Sequence, residues 1–95
     1  MTRHLNLVMS LGQEEFLRLL PSAVEGVVLR EGPNGFSGGG EGRHWTLRLW
    51  PMGDRHLGRL ALPCLRVEFR FDGFPDREVE AFMARFHRAF LRAGG

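Results

Sequence analysis

Among the residues of this sequence that could bind a ligand or take part in a reaction, arginine is the most prominent. All thirteen basic residues are Arg, and the chain contains no Lys. A guanidinium group stays protonated throughout the physiological pH range and binds carboxylates or phosphates in a planar, two-pronged geometry. Since there is no Lys, Schiff-base and lysine general-base catalysis by this chain are excluded. Eleven Asp and Glu oppose the thirteen Arg, so the net charge is only +2 although the sequence pI is about 9.9.

Several of these Arg, together with one tryptophan, lie at alternate positions of three predicted strands. Because successive side chains of a strand point to opposite faces of the sheet, such residues share one face if the three strands are neighbours. That face would carry Thr46, Arg48, Trp50, Arg59, Arg66, Glu68 and Arg70.

We expect this polar face to be the binding surface, with Arg48, Trp50, Arg59, Arg66 and Arg70 as its candidate residues. Arginines around an exposed tryptophan are typical of surfaces that bind nucleic acid or an acidic partner. Two other interpretations are a solvated face with Arg–Glu pairs across strands, and a face covered by a second copy of the chain. A net charge of +2 is small for a phosphate-binding protein, so we place a protein partner or homo-oligomer before nucleic acid.

The histidines and the single cysteine do not form a recognisable reactive set. None of the four His forms a close pair in the sequence, and one Cys cannot supply a thiolate cluster or an internal disulfide. Cys64 would need a base such as His56 to act as a nucleophile, yet it lies between Pro63 and Leu65, which favours a packing role. We therefore expect no catalytic residue, no metal and no cofactor.

The segment from Gly32 to Gly42 is the second candidate for ligand binding. Six of its eleven residues are glycine, and the backbone N–H groups of such a segment can bind an anion. However, no Gly-Lys-Ser/Thr follows, and Gly40-x-Gly42 continues into His44 and Trp45 rather than a third glycine. We expect a long flexible loop between two strands.

Alternating apolar residues predict the strands that position these groups. They fall at residues 4–9, 26–30, 43–50, 56–62 and 65–71. The residues from Pro51 to Asp54 predict a turn, Gly58 predicts a bulge, and Pro63 predicts a bend or strand edge.

Two helices are predicted. The first begins with a capping box from Ser10 to Gln13 and ends near Pro21. The second begins at Pro75 and is ended by Gly94. Its apolar stripe should pack on the strand at residues 65–71, so we interpret it as core and not as a ligand site; the stripe is Val79, Phe82, Met83, Phe86 and Phe90.

These elements predict one α+β domain over residues 1–95, with the order β-α-β-β-β-β-α and both helices on one face of an antiparallel sheet. If the last two predicted strands are one bent strand, the layout becomes ferredoxin-like, β-α-β-β-β-α. The single Cys and the start of the sequence, which lacks a signal-peptide pattern, favour a cytoplasmic protein that does not enter a membrane.

One stretch of the chain also resembles a known family. From Gly58 to Glu68 the sequence follows the pattern Gly-x-Leu-x-Leu-Pro-x-Leu-Arg-Val-Glu, and a helix and a glycine-rich end come after it. This is similar to a small family of unknown function that resembles the C-terminal domain of a MoaD-related protein of thermophilic bacteria. There, a domain like the small subunit of molybdopterin synthase precedes it. The resemblance implies a TBP-like fold and a link to molybdopterin or sulfur-carrier biology, and it supplies no catalytic residues.

The terminal Gly94-Gly95 is similar to the tail of a sulfur carrier, whereas its position directly after a helix favours a helix end. Together, the residues and the resemblance predict a non-catalytic interaction domain.

Overall fold

The computed structural model describes residues 2–92, so the predictions made for Gly94 and Gly95 lie outside the described residues. The elements are β1 (Thr2–Met9), α1 (Gln13–Ala23), β2 (Leu29–Arg30), β3 (Gly35–Gly40), β4 (Arg43–Leu57), β5 (Leu60–Asp72) and α2 (Asp76–Arg92). The predicted α+β class is confirmed. No helix in the described part of the chain is long and apolar enough to cross a membrane.

The five strands form one sheet in the order β1-β5-β4-β3-β2, and every neighbouring pair is antiparallel. The central strand β5 pairs with β1 on one side and with β4 on the other. One row of paired residues therefore crosses four strands, and its members are Leu5, Phe69, Leu47 and Phe36. The alternation of apolar residues places this whole row on the face that the helices cover.

Both helices lie on that face, as predicted, and the Phe-rich stripe of α2 is part of the core. Phe86 meets Phe69 of β5 in an edge-to-face arrangement with ring centres 5.1 Å apart. From α1, Phe16 stacks on Phe90 at 5.1 Å. Each fully buried Phe stabilises the fold by roughly 1.5–3 kcal/mol, so this cluster supplies a large share of the driving force. Most of the stripe is therefore core, and its half-buried Phe82 also lines a cleft.

The predicted flexible loop at residues 32–42 is wrong, because Gly35–Gly40 forms strand β3 and pairs with β4. Glycine is disfavoured in strands, so the glycine-rich sequence does not predict strand β3. The reason lies across the sheet: a Cβ on Gly38 would come within 2.6 Å of Cζ2 of the buried Trp45. Only glycine leaves room for the indole against the backbone of β3.

β4 and β5 form one long hairpin whose turn is not where the sequence predicts it. Met52 and Gly53 together lie opposite Cys64, so the predicted turn is in fact a β-bulge. The chain reverses instead at Gly58 and Arg59. Gly58 has φ 61°, which suits the first central position of a two-residue type II′ turn.

The predicted strand at 56–62 is consequently split between the two arms of this hairpin. Its first residues end β4, and its last residues begin β5, which continues through Pro63 without a break. Proline is tolerated there because β1 ends at Met9, opposite Leu65, so β5 has a neighbour on one side only. β5 joins the end of the predicted strand at 56–62 to the predicted strand at 65–71, which is part of what the ferredoxin-like alternative requires. The sheet nevertheless has five strands, because β3 is an additional one.

The starts of the helices also differ from prediction. α1 has Gly12 at its N-cap and no side-chain capping bond, so the predicted capping box at Ser10 is wrong. β1 continues to Met9, and Ser10 is among the few residues left for the reversal into the helix. Gln13 donates instead to the Asn34 side chain over 2.7 Å. Pro75 directly precedes α2, and its carbonyl accepts the first helical bond.

Candidate functional site: the open face of the sheet

The face of the sheet opposite the helices is called the open face here. It is defined by the alternate positions of three neighbouring strands: Thr2, His4, Asn6 and Val8 of β1, Arg66, Glu68, Arg70 and Asp72 of β5, and His44, Thr46, Arg48 and Trp50 of β4. The pairing places these side chains in rows across the sheet. One row joins Val8, Arg66 and Trp50, and the next joins Asn6, Glu68 and Arg48.

Four of the five candidate residues lie together on this face, namely Arg48, Trp50, Arg66 and Arg70. The fifth was placed wrongly: Arg59 occupies the turn at the tip of the β4–β5 hairpin, beyond the sheet. Its assignment assumed that residues 56–62 form a separate strand beside the others. Since those residues instead form the hairpin tip, the alternation that placed Arg59 on the face does not apply.

Two guanidinium groups lie close to the indole ring of Trp50. The Arg66 Cζ atom is 5.4 Å from the centre of the indole ring, and the Arg48 Cζ atom is 6.0 Å from it. Such cation–π contacts contribute about 0.5–1 kcal/mol at exposed sites. The side chain is 42% exposed. The result is a partly exposed aromatic ring in a positive environment.

Charge is distributed unevenly along the open face. At one end, Arg70 pairs with Asp72 at 3.2 Å, and Thr2 donates to the Asp72 carboxylate over 2.6 Å. The Thr2 hydrogen bond, with a smaller effect of the Arg70 charge, lowers the pKa of Asp72 below its usual value. At the other end, Arg66 reaches Glu68 only at 3.7 Å, and Arg48 has no carboxylate at ion-pair distance within residues 2–92. The Trp50 end is therefore the positive end.

Val8 is an open-face residue that sequence reasoning did not single out. It is 62% exposed and lies in the same row as Arg66 and Trp50. The alternation of β1 already puts Val8 on the side away from Leu7 and Met9. The register that sets it beside Arg66 depends on the pairing of β1 with β5, which nothing local in the sequence encodes.

The glycines of β3 continue the face as a shallow depression of about 340 Å³ beside β4, lined in part by Glu31, His44 and Arg48. Ser37 at its floor is buried, and its hydroxyl donates to Glu31 over 2.8 Å. The depression runs along β4 from His44 to Arg48, so it reaches the positive end of the open face at Arg48.

A second cleft, of about 350 Å³, lies on the helix side and is lined by Trp45, Phe74 and Phe82. Two ion pairs flank it. Arg43 holds Glu78 through both carboxylate oxygens, and this hydrogen bonding lowers the Glu78 pKa and raises that of Arg43. Arg85 pairs with Glu25 at 3.0 Å. The cleft therefore offers aromatic surface with its neighbouring charges already paired.

The remaining reactive side chains are not brought together. Cys64 is half-buried and lies on the open-face side of the hairpin, whereas His56 pairs with Ala61 and points to the other side. The two therefore do not form a nucleophile–base pair. Within residues 2–92, no group of three or more His, Cys, Asp or Glu is placed to hold a metal ion.

Comparison of the chain with family models, with curated proteins and with solved structures finds no match. The geometry of the open face is therefore the basis for assigning a function.

Proposed function

We propose that this chain is a non-catalytic interaction domain that binds a protein partner, or a second copy of itself, through the open face. The observation that carries this proposal is the exposed Trp50 with the guanidinium groups of Arg48 and Arg66 beside its ring. Tryptophan and arginine are the residues most enriched where a few side chains supply most of the binding energy of an interface.

The positive end of the open face supports a partner that presents carboxylates. A carboxylate of the partner can form a hydrogen-bonded ion pair with Arg48 without displacing another carboxylate of residues 2–92. Val8 and Trp50 beside it supply apolar area that becomes buried at the same time. The paired Asp72 end contributes less, because Arg70 already has a counter-charge.

We also infer that the fold is TBP-like, which would leave such a sheet face free for binding. The order β-α-β-β-β-β-α and the strand order β1-β5-β4-β3-β2 support this inference. The cytoplasmic location and the link to molybdopterin or sulfur-carrier biology stay predictions.

Charge reversal on the open face tests the proposal. Light scattering after size exclusion gives the oligomeric state, and affinity capture from the source cells gives the partners. We expect Arg48→Glu with Arg66→Glu, or Trp50→Ala, to abolish the oligomer or the captured partner. Arg88→Glu on α2 is the matched control and should change neither. A protein that is monomeric at high concentration, with the same captured proteins for all variants, would contradict the proposal.

Nucleic-acid binding is the second candidate, and the same Trp50 favours it. An exposed indole beside two arginines can stack on an unpaired base while the guanidinium groups contact phosphates. Fluorescence anisotropy with a labelled oligothymidylate tests this directly. Binding that weakens steeply as salt rises would support it. An unchanged anisotropy at low ionic strength would end it.

A further inference from the structure

We propose that the tip of the β4–β5 hairpin extends the open face into a docking strip for an extended segment of a partner protein that alternates acidic and apolar residues. Residues Pro51–Cys64 are called the hairpin arm. The inference rests on the proposed function and names the chemistry of its partner.

The hairpin arm projects beyond the rest of the sheet. β1 ends opposite Leu65, and β3 begins at Gly35, opposite Arg48, so the arm has no third strand on either side. This projection contributes to the elongated shape of the molecule, which measures 48 × 26 × 21 Å. A two-stranded hairpin without a covering layer is only marginally stable in water, so a bound partner would stabilise it.

One side of the hairpin arm is apolar without serving the core. Leu57 pairs with Leu60 next to the turn, and they are 56% and 62% exposed. The alternation of β5 from Arg66 back through Cys64 and Leu62 places Leu60 on the open-face side. Apolar residues thus recur on this side from Trp50 towards the tip, with Arg55 among them. Exposed apolar residues bordered by polar ones are typical of protein–protein contacts.

The same side carries cations that lack counter-charges. Arg55 pairs with Leu62 and so lies on the open-face side, and Arg59 occupies the turn. The arm's one acidic residue, Asp54, pairs with Pro63 and lies on the other side. Within residues 2–92, neither Arg55 nor Arg59 has a carboxylate at ion-pair distance. An acidic partner is complementary to this strip in charge as well as in its apolar side chains.

Charge and composition distinguish this partner from two others. A second copy packed strip against strip would bring the arginines of both arms together, which like charges oppose. Nucleic acid would use the arginines but would gain little from Leu57 and Leu60, because phosphates do not bury aliphatic groups. A protein segment uses both features at once.

The length of the strip sets the length of the segment. From Leu60 to Arg66 the strand advances by six residues, or about 20 Å at roughly 3.3 Å per residue. An extended segment of about seven residues therefore spans it, with alternate side chains directed at the strip.

Short labelled peptides test this inference with the intact chain. The probe is a peptide of about eight residues that alternates Glu and Leu, matched to the strip length. The controls alternate Lys with Leu and Glu with Ser. We expect only the Glu/Leu peptide to raise the fluorescence anisotropy at micromolar to millimolar protein. Arg55→Glu, or Leu57→Ser with Leu60→Ser, should weaken its binding by about tenfold or more, whereas Arg88→Glu should not change it.

Four outcomes would overturn the inference. The first is equal binding of the Lys/Leu peptide. The second is Glu/Leu binding that the arm variants do not weaken. The third is arm-dependent binding of oligothymidylate or of phosphatidylserine vesicles in the absence of peptide binding, which would assign the arm to nucleic acid or to a membrane surface. The fourth is failure of the peptides to bind while Arg48→Glu with Arg66→Glu still abolishes partner capture; the docking strip is then wrong and the proposed function stands.

Discussion

The indole of Trp45 lies directly against the backbone of Gly38, so that a Cβ added to Gly38 would come within 2.6 Å of the ring. The two residues are paired across β3 and β4. This contact lets the glycine-rich strand β3 pack closely against β4, between β4 and the short edge strand β2. The strand in turn borders the positive end of the open face.

We predict that Gly38→Ala destabilises the protein by about 1–3 kcal/mol, because the added methyl group has no space beside a fully buried indole. Gly40→Ala is the matched control, since a Cβ there would meet nothing within 4 Å. That variant should be neutral or stabilising by about 0.4–1 kcal/mol. Urea unfolding followed by circular dichroism measures both. Equal effects of the two substitutions would contradict the role of the Trp45 contact.

Shortening the hairpin arm should leave the fold intact. Replacing residues 55–62 by a two-residue Asn-Gly turn joins Asp54 to Pro63, which already pair across the hairpin. Since the removed residues contribute nothing to the core, we expect the free energy of unfolding to change by no more than about 1 kcal/mol. Chemical denaturation checks this value. A loss above about 3 kcal/mol would show that the arm is a structural element of the fold.

The charge around Trp50 should be visible in its fluorescence. Trp45 is buried, so collisional quenchers act mainly on Trp50. At low salt we expect iodide to quench more strongly than caesium, by about a factor of two or more, because Arg48 and Arg66 concentrate anions at the ring. Arg48→Glu with Arg66→Glu should reverse the order, and Arg88→Glu should preserve it. Equal quenching by the two ions in the native chain would contradict a positive open face.

Acid should remove part of the stability through two carboxylates. The pKa of Glu78 is lowered by hydrogen bonds from Arg43, and that of Asp72 by the Thr2 hydroxyl. As the pH falls, the unfolded state is therefore protonated at these two carboxylates before the folded state is. The contribution of the two carboxylates to stability is present above about pH 4, and it is lost as the pH falls through their lower pKa values in the folded state. In urea unfolding from pH 7 to below pH 4, Glu78→Gln should show a smaller loss than the native chain. Glu80→Gln should behave like the native chain.

The parts of the fold that could be predicted are those whose signal is local. Leu65 to Phe71 alternates with Arg66, Glu68 and Arg70, and α2 carries an apolar stripe, so the strand, the helix and their packing follow from periodicity alone. These local patterns also set four of the five candidate residues on one face.

The parts that could not be predicted depend on residues distant in the chain. The requirement for glycine at position 38 comes from Trp45 on the neighbouring strand. Because nothing within the segment itself shows this contact, its glycines predict a loop. The segment Pro51–Asp54 and Gly58 are both typical of turns. Only the pairing of Pro51 with Leu65 shows that the segment is a bulge and that the turn is at Gly58. The misplacement of Arg59 follows from that choice, because alternation predicts a face only along an unbroken strand.

Site-specific photo-crosslinking shows whether the open face is the surface at which this protein meets its partner. A benzoylphenylalanine is placed at Thr46 or Asn6 on the open face, and at His87 on the exposed side of α2 as the control. After irradiation in the source cells, we expect one defined adduct, with a partner or a second copy, from the open-face positions alone. Adducts of equal yield from His87, or none from the open face while the chain is folded and abundant, would contradict it.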